Sequence, residues 1–126
     1  MNRFARFVSF FVLLLTVVFA AQGVSQTLAS NTWSSAGQMT QARSGAAAVL
    51  LNSGQVLITG GTDSSGSPQA TTEIYDPATG VFTASPSMTV PRANHAAIVL
   101  KTGDVLVTGG LTTGGGYSDS AEFFSV

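Results

Sequence analysis

The chain repeats itself at an offset of 49 residues, and this repeat is the strongest constraint on its fold. At that offset Arg43 falls on Arg92, Glu73 on Glu122, and Trp33 on another aromatic residue, Phe82. The alignment needs no gap between about residue 30 and residue 126. A period near 50 residues is typical of stacked repeat units, each of which is too small to bury its apolar surface alone. The sequence therefore predicts two copies of one small unit, residues 30–77 and 79–126.

Each unit is predicted to contain four short β-strands. In the first copy the strands are expected at residues 46–51, 55–60, 71–76 and 81–85. In the second copy they are expected at residues 95–100, 104–109 and 120–124. Residues 32–36, before the first copy, match the fourth strand, 81–85. Glycine-containing turns separate the segments, and valine, isoleucine and threonine recur within them, which favours strands over helices. The sequence thus predicts four strands for each repeat.

The apolar runs of the first two strands indicate sheets that are covered on both faces. Val49–Leu51 and Val56–Ile58 are continuous, whereas a strand with one wet face alternates apolar and polar residues. The blades of a β-propeller meet this condition because each sheet packs between two neighbours. The predicted fold class is therefore all-β, a propeller segment of about two four-stranded blades.

The first 20 residues have the pattern of a signal peptide. Arg3 and Arg6 precede a short apolar run, and Val18–Ala20 has the small-x-small pattern of a cleavage site. The run is short for a membrane span, which needs about 20 residues. We expect cleavage after Ala20, a linker over 21–29, secretion or release into a periplasm, and no membrane attachment after cleavage. An uncleaved N-terminal anchor is the alternative.

The composition limits the kinds of partner and metal site that the chain can have. Of five basic and six acidic residues, Arg3 and Arg6 lie in the signal segment, so the exported part has a net charge of −3. No basic cluster is present, so we expect no nucleic-acid partner. The sequence has no cysteine and one histidine, His95, which excludes disulfides and cysteine-based metal sites. We expect no cofactor and no resident metal.

The motifs of the first copy resemble the kelch repeat. The matching features are Ala42–Arg43 before the first strand, the glycine pair 60–61 after the second, and the Glu73–Pro77 run followed by Val81–Phe82. The pattern is most similar to bacterial kelch proteins related to the central domain of galactose oxidase. This resemblance implies a propeller in which the first strand of each blade lines the axis. It implies little about function, because kelch propellers serve as binding modules, scaffolds and occasionally enzymes.

The repeated charged residues are predicted to be structural. Arg43 is expected to pair with Glu73, and Arg92 with Glu122, because residues that recur at the same place in successive repeats usually have the same structural role in each. The alternative is that the two carboxylates act as the acid and base in the hydrolysis of a glycosidic bond. The glycine pairs Gly60–Gly61 and Gly109–Gly110 are read as close backbone approaches, since no lysine and no helix follow to make a phosphate loop. For His95, which lacks an evident catalytic partner, we also expect a structural role.

A candidate binding face follows from strand direction. Loops that join the second and third strands lie at the same end of a blade as those that join the fourth strand to the next repeat. The candidate binding residues in these loops are Asp63, Ser64, Ser65, Thr112, Thr113 and Tyr117. Tyr117 is the exposed aromatic residue best suited to stack on a sugar or a peptide. A plain solvated loop is the alternative.

Two blades do not close a propeller, which uses about four to eight. We expect either a fragment of a longer propeller or several copies that close one ring, in which the Trp33 strand completes the last blade of a neighbour. The expected function is a non-enzymatic, exported module that binds a protein or a polysaccharide. The alternative is the N-terminal part of a galactose-oxidase-like or other carbohydrate-active enzyme whose catalytic residues lie outside this sequence.

Overall fold

The computed structural model describes residues 31–126, which form antiparallel β-sheets joined by turns and loops. Within this range no residue is helical. The strands are β1 (Ala47–Leu50), β2 (Val56–Thr59), β3 (Thr72–Asp76), β4 (Val81–Ser85), β5 (Ala96–Val99), β6 (Val105–Thr108) and β7 (Ala121–Phe124). The predicted signal peptide and linker lie outside the described residues. All seven strands belong to one compact unit, Ser35–Val126.

The strands form two sheets in chain order. The first sheet has the order β1-β2-β3-β4 and the second the order β5-β6-β7, with every neighbouring pair antiparallel. The registers of the two sheets coincide at the 49-residue offset: Val49 pairs with Leu57, and Ile98 pairs with Leu106. The all-β, two-blade expectation is confirmed, with four strands in the first sheet and three in the second.

One strand prediction is wrong. Residues 32–36, expected to form the fourth strand that precedes the first copy, have no strand conformation. A strand needs a partner edge, and the aligned residues Val81–Ser85 form β4 because β3 lies beside them in the same sheet. Several other strands are one residue shorter at one or both ends than predicted.

The turns repeat as closely as the strands do. In the β1–β2 turn the Leu51 N–H donates to the Gln55 carbonyl at 2.8 Å, and the Leu100 N–H donates to Asp104 at the same distance in the β5–β6 turn. Gly54 occupies this turn at φ +86°, a conformation that glycine adopts without steric strain because it has no Cβ. The two hairpins therefore share one geometry.

The core lies between the two sheets. Leu51 and Leu57 of the first repeat meet Val105 and Val107 of the second, and all four are buried. Partly buried apolar residues surround them: Val49, Ile74, Met88, Ala97, Val99 and Phe124. The opposite faces of the sheets remain open, so that Leu50 and Ile98 are exposed. Each sheet is thus covered on one face by its partner.

Candidate functional site

The loops predicted to share one end of the sheets do meet there. Isolated bridges link Thr62 to both Ser44 and Pro68, and link Leu111 to both Ala93 and Tyr117. A further bridge joins Gln69 of the first repeat to Arg92 of the second. We call the surface formed by residues 62–69, 85–91 and 112–118 the loop face.

Asp63 organises the first loop of this face. Its Oδ1 accepts hydrogen bonds from the Ser65 N–H at 2.9 Å, the Ser65 hydroxyl at 2.6 Å and the Ser67 N–H at 3.0 Å, while Oδ2 accepts one from the Gln69 side chain at 2.8 Å. The Ser65 hydroxyl, the Ser67 amide and the Ser65 amide hold the pKa of Asp63 below its ordinary value, against a small opposing effect of burial. The Asp63 carboxylate is therefore engaged in shaping its own loop.

The second loop keeps the backbone of the first with different side chains. The Thr112 N–H donates to Gly116 at 2.8 Å, as the Asp63 N–H donates to Ser67 at 3.0 Å. The Thr112 hydroxyl donates to the same Gly116 carbonyl at 3.0 Å. Thr113 is exposed, and the Tyr117 side chain is 86% exposed. Of the six predicted binding residues, Asp63 and Thr112 shape their loops, Ser65 caps Asp63, and Ser64, Thr113 and Tyr117 face solvent.

A shallow cleft opens on the loop face beside the first loop. It has a volume of about 240 Å³ and is lined by Gln41, Ala42, Asp63, Ser64 and Gln69. Gln41 and Gln69 were missed by sequence reasoning because a glutamine in a polar segment carries no motif. The Gln41 amide oxygen accepts a hydrogen bond from the Thr71 hydroxyl at 3.0 Å, so this side chain is partly positioned.

Below the loop face, Arg43 and Glu73 form the first of the two predicted ion pairs. Arg43 Nη2 lies 2.6 Å from Glu73 Oε1, and both side chains are nearly inaccessible to solvent. Arg43 Nη1 donates to the carbonyls of Gly60 and Thr71, both at 2.8 Å, and Glu73 Oε2 accepts the Thr40 N–H at 2.7 Å. One arginine thus ties the end of β2 and the start of β3 to the segment that precedes β1. We call this arrangement the arginine cradle.

The second repeat builds the same cradle around Arg92 and Glu122. Arg92 Nη1 donates to the carbonyls of Gly109 at 2.8 Å and Ser120 at 3.0 Å, and Arg92 Nη2 lies 3.1 Å from Glu122 Oε1. Hydroxyls of Ser118 and Ser120 add further acceptors. Both arginine–glutamate pairs therefore serve the same structural purpose in both repeats.

The two glutamates differ in burial. The Glu73 side chain is 1% exposed, whereas that of Glu122 is 19% exposed, because β4 lies beside β3 while β7 is the last strand of its sheet. Burial alone raises the pKa of each carboxyl. Hydrogen bonds from Thr40 and Arg43 to Glu73, and from Thr89, Val90 and Arg92 to Glu122, outweigh burial and lower both pKa values below the ordinary range. Both side chains are therefore carboxylates at neutral pH, which suits ion pairing and not proton donation.

His95 joins the two repeats. Its Nε2 lies 2.8 Å from the Thr59 hydroxyl, while its Nδ1 is buried with no hydrogen-bond partner in the described part of the chain. Burial, together with the positive charge of Arg92, lowers the pKa of His95 below its ordinary value. The imidazole is therefore neutral near pH 7 and acts here as a contact between β2 and the start of β5.

The glycine pairs allow the repeats to approach closely. A Cβ on Gly60 would lie 2.8 Å from the His95 ring and closer still to the Arg92 carbonyl, and Gly60 has φ +57°. A Cβ on Gly61 would lie 2.8 Å from the Ser44 carbonyl, and one on Gly110 would lie 2.7 Å from His95 Cβ. Gly109, the counterpart of Gly60, has only the Ser118 carbonyl within 4 Å, at 3.9 Å. The close approach at Gly60 exists because a second repeat follows it.

A larger cleft, which sequence reasoning did not find, lies between the two sheets. It measures about 290 Å³, and its walls include Thr72 of β3, Met88 of the connecting segment, and Glu122 and Phe124 of β7.

Within residues 31–126, no group of three or more histidine, cysteine, aspartate or glutamate side chains is placed to hold a metal ion. In the same range, no helix is long and apolar enough to cross a membrane.

A family model matches the part of the chain that forms the first sheet. Residues 42–89 match the family model of the Kelch motif. The matched segment runs from the arginine cradle through all four strands of the first sheet to the connection that enters the second. The second sheet repeats the kelch strand order through β7 at the 49-residue offset. No match to the chain was found among curated proteins.

Proposed function

We propose that the chain is an exported, non-enzymatic interaction module that binds a protein or a neutral polysaccharide through its loop face. One observation carries the proposal: kelch-type sheets bring three loop segments together at one end, with Tyr117 86% exposed. Tyrosine is favoured at binding surfaces because its ring supplies contact area and its hydroxyl a hydrogen bond. The exposed serine and threonine hydroxyls around it suit an uncharged ligand.

The lack of acidic or basic clusters on the loop face supports a neutral ligand. Asp63, the acidic residue of the first loop, already accepts hydrogen bonds from Ser65, Ser67 and Gln69. The cleft beside it presents the side chains of Gln41 and Ser64. Amides and hydroxyls of this kind hydrogen-bond to sugars and to peptide backbones alike. A relationship to the bacterial kelch proteins that resemble the galactose oxidase central domain is part of the same proposal.

Binding is tested with the chain and one matched pair of variants. Affinity electrophoresis through gels that contain galactomannan or xylan measures polysaccharide binding, and selection of displayed peptides on the immobilised chain measures protein binding. Tyr117→Ala should abolish most of the retardation or peptide capture. Thr102→Ala, in the turn at the opposite end of the sheets, should leave both unchanged. Binding that both variants retain equally would refute the loop face as the site.

Export is tested separately by mass spectrometry. The chain recovered from the culture medium or the periplasm should begin at Ala21, because the signal peptide is removed after Ala20. A chain that retains Met1 and stays with the cells would contradict export. This result would leave the loop-face proposal standing, since binding is measured on purified protein.

A further inference from the structure

The His95 side chain lies where glycines let the two repeats approach each other. A Cβ on Gly60 of the first repeat would lie 2.8 Å from the ring carbon Cε1 of His95. A Cβ on Gly110 of the second repeat would lie 2.7 Å from the His95 Cβ. Backbone from both repeats therefore lies against this side chain. A change in the charge of the ring acts directly on the contact between the repeats.

Only one of the two ring nitrogens has a partner. Nε2 lies 2.8 Å from the Thr59 hydroxyl, which can bond to a neutral or a protonated ring because a hydroxyl both donates and accepts. Nδ1 is buried and has no hydrogen-bond partner within the described residues. A protonated imidazole carries an N–H at both nitrogens, so protonation would leave a charged donor buried without an acceptor. Such a group costs far more free energy than a neutral one in the same place.

The charges on the side of the second repeat also oppose protonation of the ring. Burial, followed by the positive charge of Arg92, lowers the pKa of His95 below its ordinary value. The carboxylate of Glu122 is paired with Arg92 and accepts no hydrogen bond from the imidazole. Gly110, on the far side of the ring, brings no charge. The second repeat thus surrounds His95 without offering it a counterion.

The first repeat offers no counterion either. Arg43 Nη1 donates to the Gly60 carbonyl at 2.8 Å, so a second guanidinium is bonded to the residue that the ring contacts. Glu73 accepts hydrogen bonds from Arg43 and from the Thr40 N–H, and it receives none from the imidazole. The Met88 side chain, which lies beside the same glycine, is uncharged. A proton on His95 therefore adds a positive charge between two arginine cradles.

Three backbone hydrogen bonds beside His95 fix the base of the first loop. The Gly61 N–H donates to the Arg92 carbonyl at 2.8 Å, and the Arg92 N–H donates to the Gln69 carbonyl at 3.1 Å. The Gln69 N–H donates in turn to the Gly61 carbonyl at 2.7 Å, which closes the set. We call these bonds the backbone triad. They tie both ends of loop 62–69 to the second repeat, next to the residues that enclose the imidazole.

We propose that His95 is an acid-sensitive contact that holds this loop in place. When the ring takes up a proton from solvent, Nδ1–H has no acceptor and Arg92 repels the new charge, so the contact between the repeats opens until water reaches the ring. Opening breaks the bonds that join Gly61 and Gln69 to Arg92, and loop 62–69 loses its attachment to the second repeat. Strand pairing within each sheet does not involve these bonds and persists.

The direction and size of the effect follow from proton linkage. In the open contact the ring meets water and has its ordinary pKa, 6.5, whereas in the closed contact the pKa of His95 is lower. Opening should therefore be rare above pH 6.5 and become up to about tenfold more frequent for each pH unit below it. The increase ends at the pKa of the closed contact, below which both states carry the proton.

Amide hydrogen exchange followed by NMR tests the proposal on the purified chain without a ligand. The amides of Gly61 and Arg92 report on the backbone triad. Those of Leu51 and Leu100, which bond at 2.8 Å inside the two hairpin turns, are the internal standard. From about pH 7 to about pH 5, protection of the triad amides should fall at least about threefold relative to the standard, after correction for intrinsic exchange. His95 is the one histidine in the sequence, so its imidazole signal gives the protonation midpoint, expected below 6.5.

One variant and one control isolate the histidine. His95→Gln keeps a donor and an acceptor for the Thr59 hydroxyl but takes up no proton in this pH range. Protection of Gly61 relative to Leu51 should then be the same at both pH values. Asp63→Asn removes the titratable group of the loop itself and should leave the pH response of the natural chain in place.

Three results would overturn the proposal. The first is an imidazole that titrates at pH 6.5 or above. The second is unchanged relative protection of Gly61 and Arg92 while the ring takes up its proton. The third is an equal loss at Leu51 and Leu100, which would mean that the whole chain unfolds. All three are read from the natural chain, so they decide the matter even if His95→Gln does not fold. None bears on ligand binding by the loop face, which is assayed with Tyr117→Ala at neutral pH.

Discussion

Replacing Glu73 with glutamine tests the arginine cradle at its most buried point. Glutamine has the shape of glutamate, so the change removes the charge and one acceptor oxygen and opens no cavity. The Arg43 side chain, 2% exposed, then keeps its positive charge without a counterion. Either Arg43 or the Thr40 N–H must also face the amide NH₂ group, because glutamine has one acceptor oxygen in place of two.

The expected loss follows from these contacts. Removing one partner of a buried ion pair costs about 3–5 kcal/mol because the other charge is left uncompensated. The Gly60 and Thr71 carbonyls continue to accept from Arg43, which keeps the loss near the lower end of that range. We expect Glu73→Gln to lower the free energy of unfolding by about 3 kcal/mol, measured by urea denaturation followed by circular dichroism.

Glu122→Gln provides the matched control. Its cradle is built alike, but Glu122 is 19% exposed, so water can reach the amide. Arg92 itself is buried, and the carbonyls of Gly109 and Ser120 and the hydroxyls of Ser118 and Ser120 continue to accept from it. We expect about half the loss seen at Glu73 or less, because solvent screening reduces the worth of an ion pair. Equal losses at the two positions, or a loss below about 1 kcal/mol at Glu73, would refute the claim that burial makes the first cradle the stronger.

Two further predictions concern the contact between the repeats. Gly60→Ala should cost about 1–3 kcal/mol more than Gly109→Ala in urea denaturation, since both glycines have positive φ but, of the two, a Cβ at Gly60 alone meets His95 and the Arg92 carbonyl; equal costs would contradict this. The lowered pKa of His95 means that the unfolded chain binds its proton more readily, so stability should be full above pH 6.5 and fall as the pH drops below 6.5. His95→Gln should remove this part of the pH dependence, and an unchanged profile would show that another group titrates.

Much of the fold could be predicted because the repeat constrains each position twice. Leu57 and Leu106 lie in equivalent strands, and the turn residues Gly54 and Gly103 mark equivalent ends. The pairing of Arg43 with Glu73 could be anticipated from the recurrence of both residues at one offset. Strand positions, turns and this ion pair depend on local sequence and strand order, so a comparison of the two copies is enough to predict them.

The remaining features depend on contacts that differ between the copies. Residues 32–36 resemble β4 in sequence but form no strand, because strand formation depends on a neighbouring edge. The hydrogen bond between the His95 ring and the Thr59 hydroxyl has no counterpart in the first repeat, where Ala46 replaces the histidine. The Asp63 carboxylate, which the sequence predicts for binding, also accepts hydrogen bonds within its own loop, and no motif announces them. Such details depend on three-dimensional surroundings that the repeat does not encode.

The account depends most on the packing of the first sheet against the second, through Leu57 on one side and Val105 and Val107 on the other. Methyl–methyl nuclear Overhauser effects on the purified chain test this directly. We predict strong effects between Leu57 and both Val105 and Val107, which share one buried cluster. Effects from Leu57 to Ile98 instead, or no effect between the two repeats, would contradict the account.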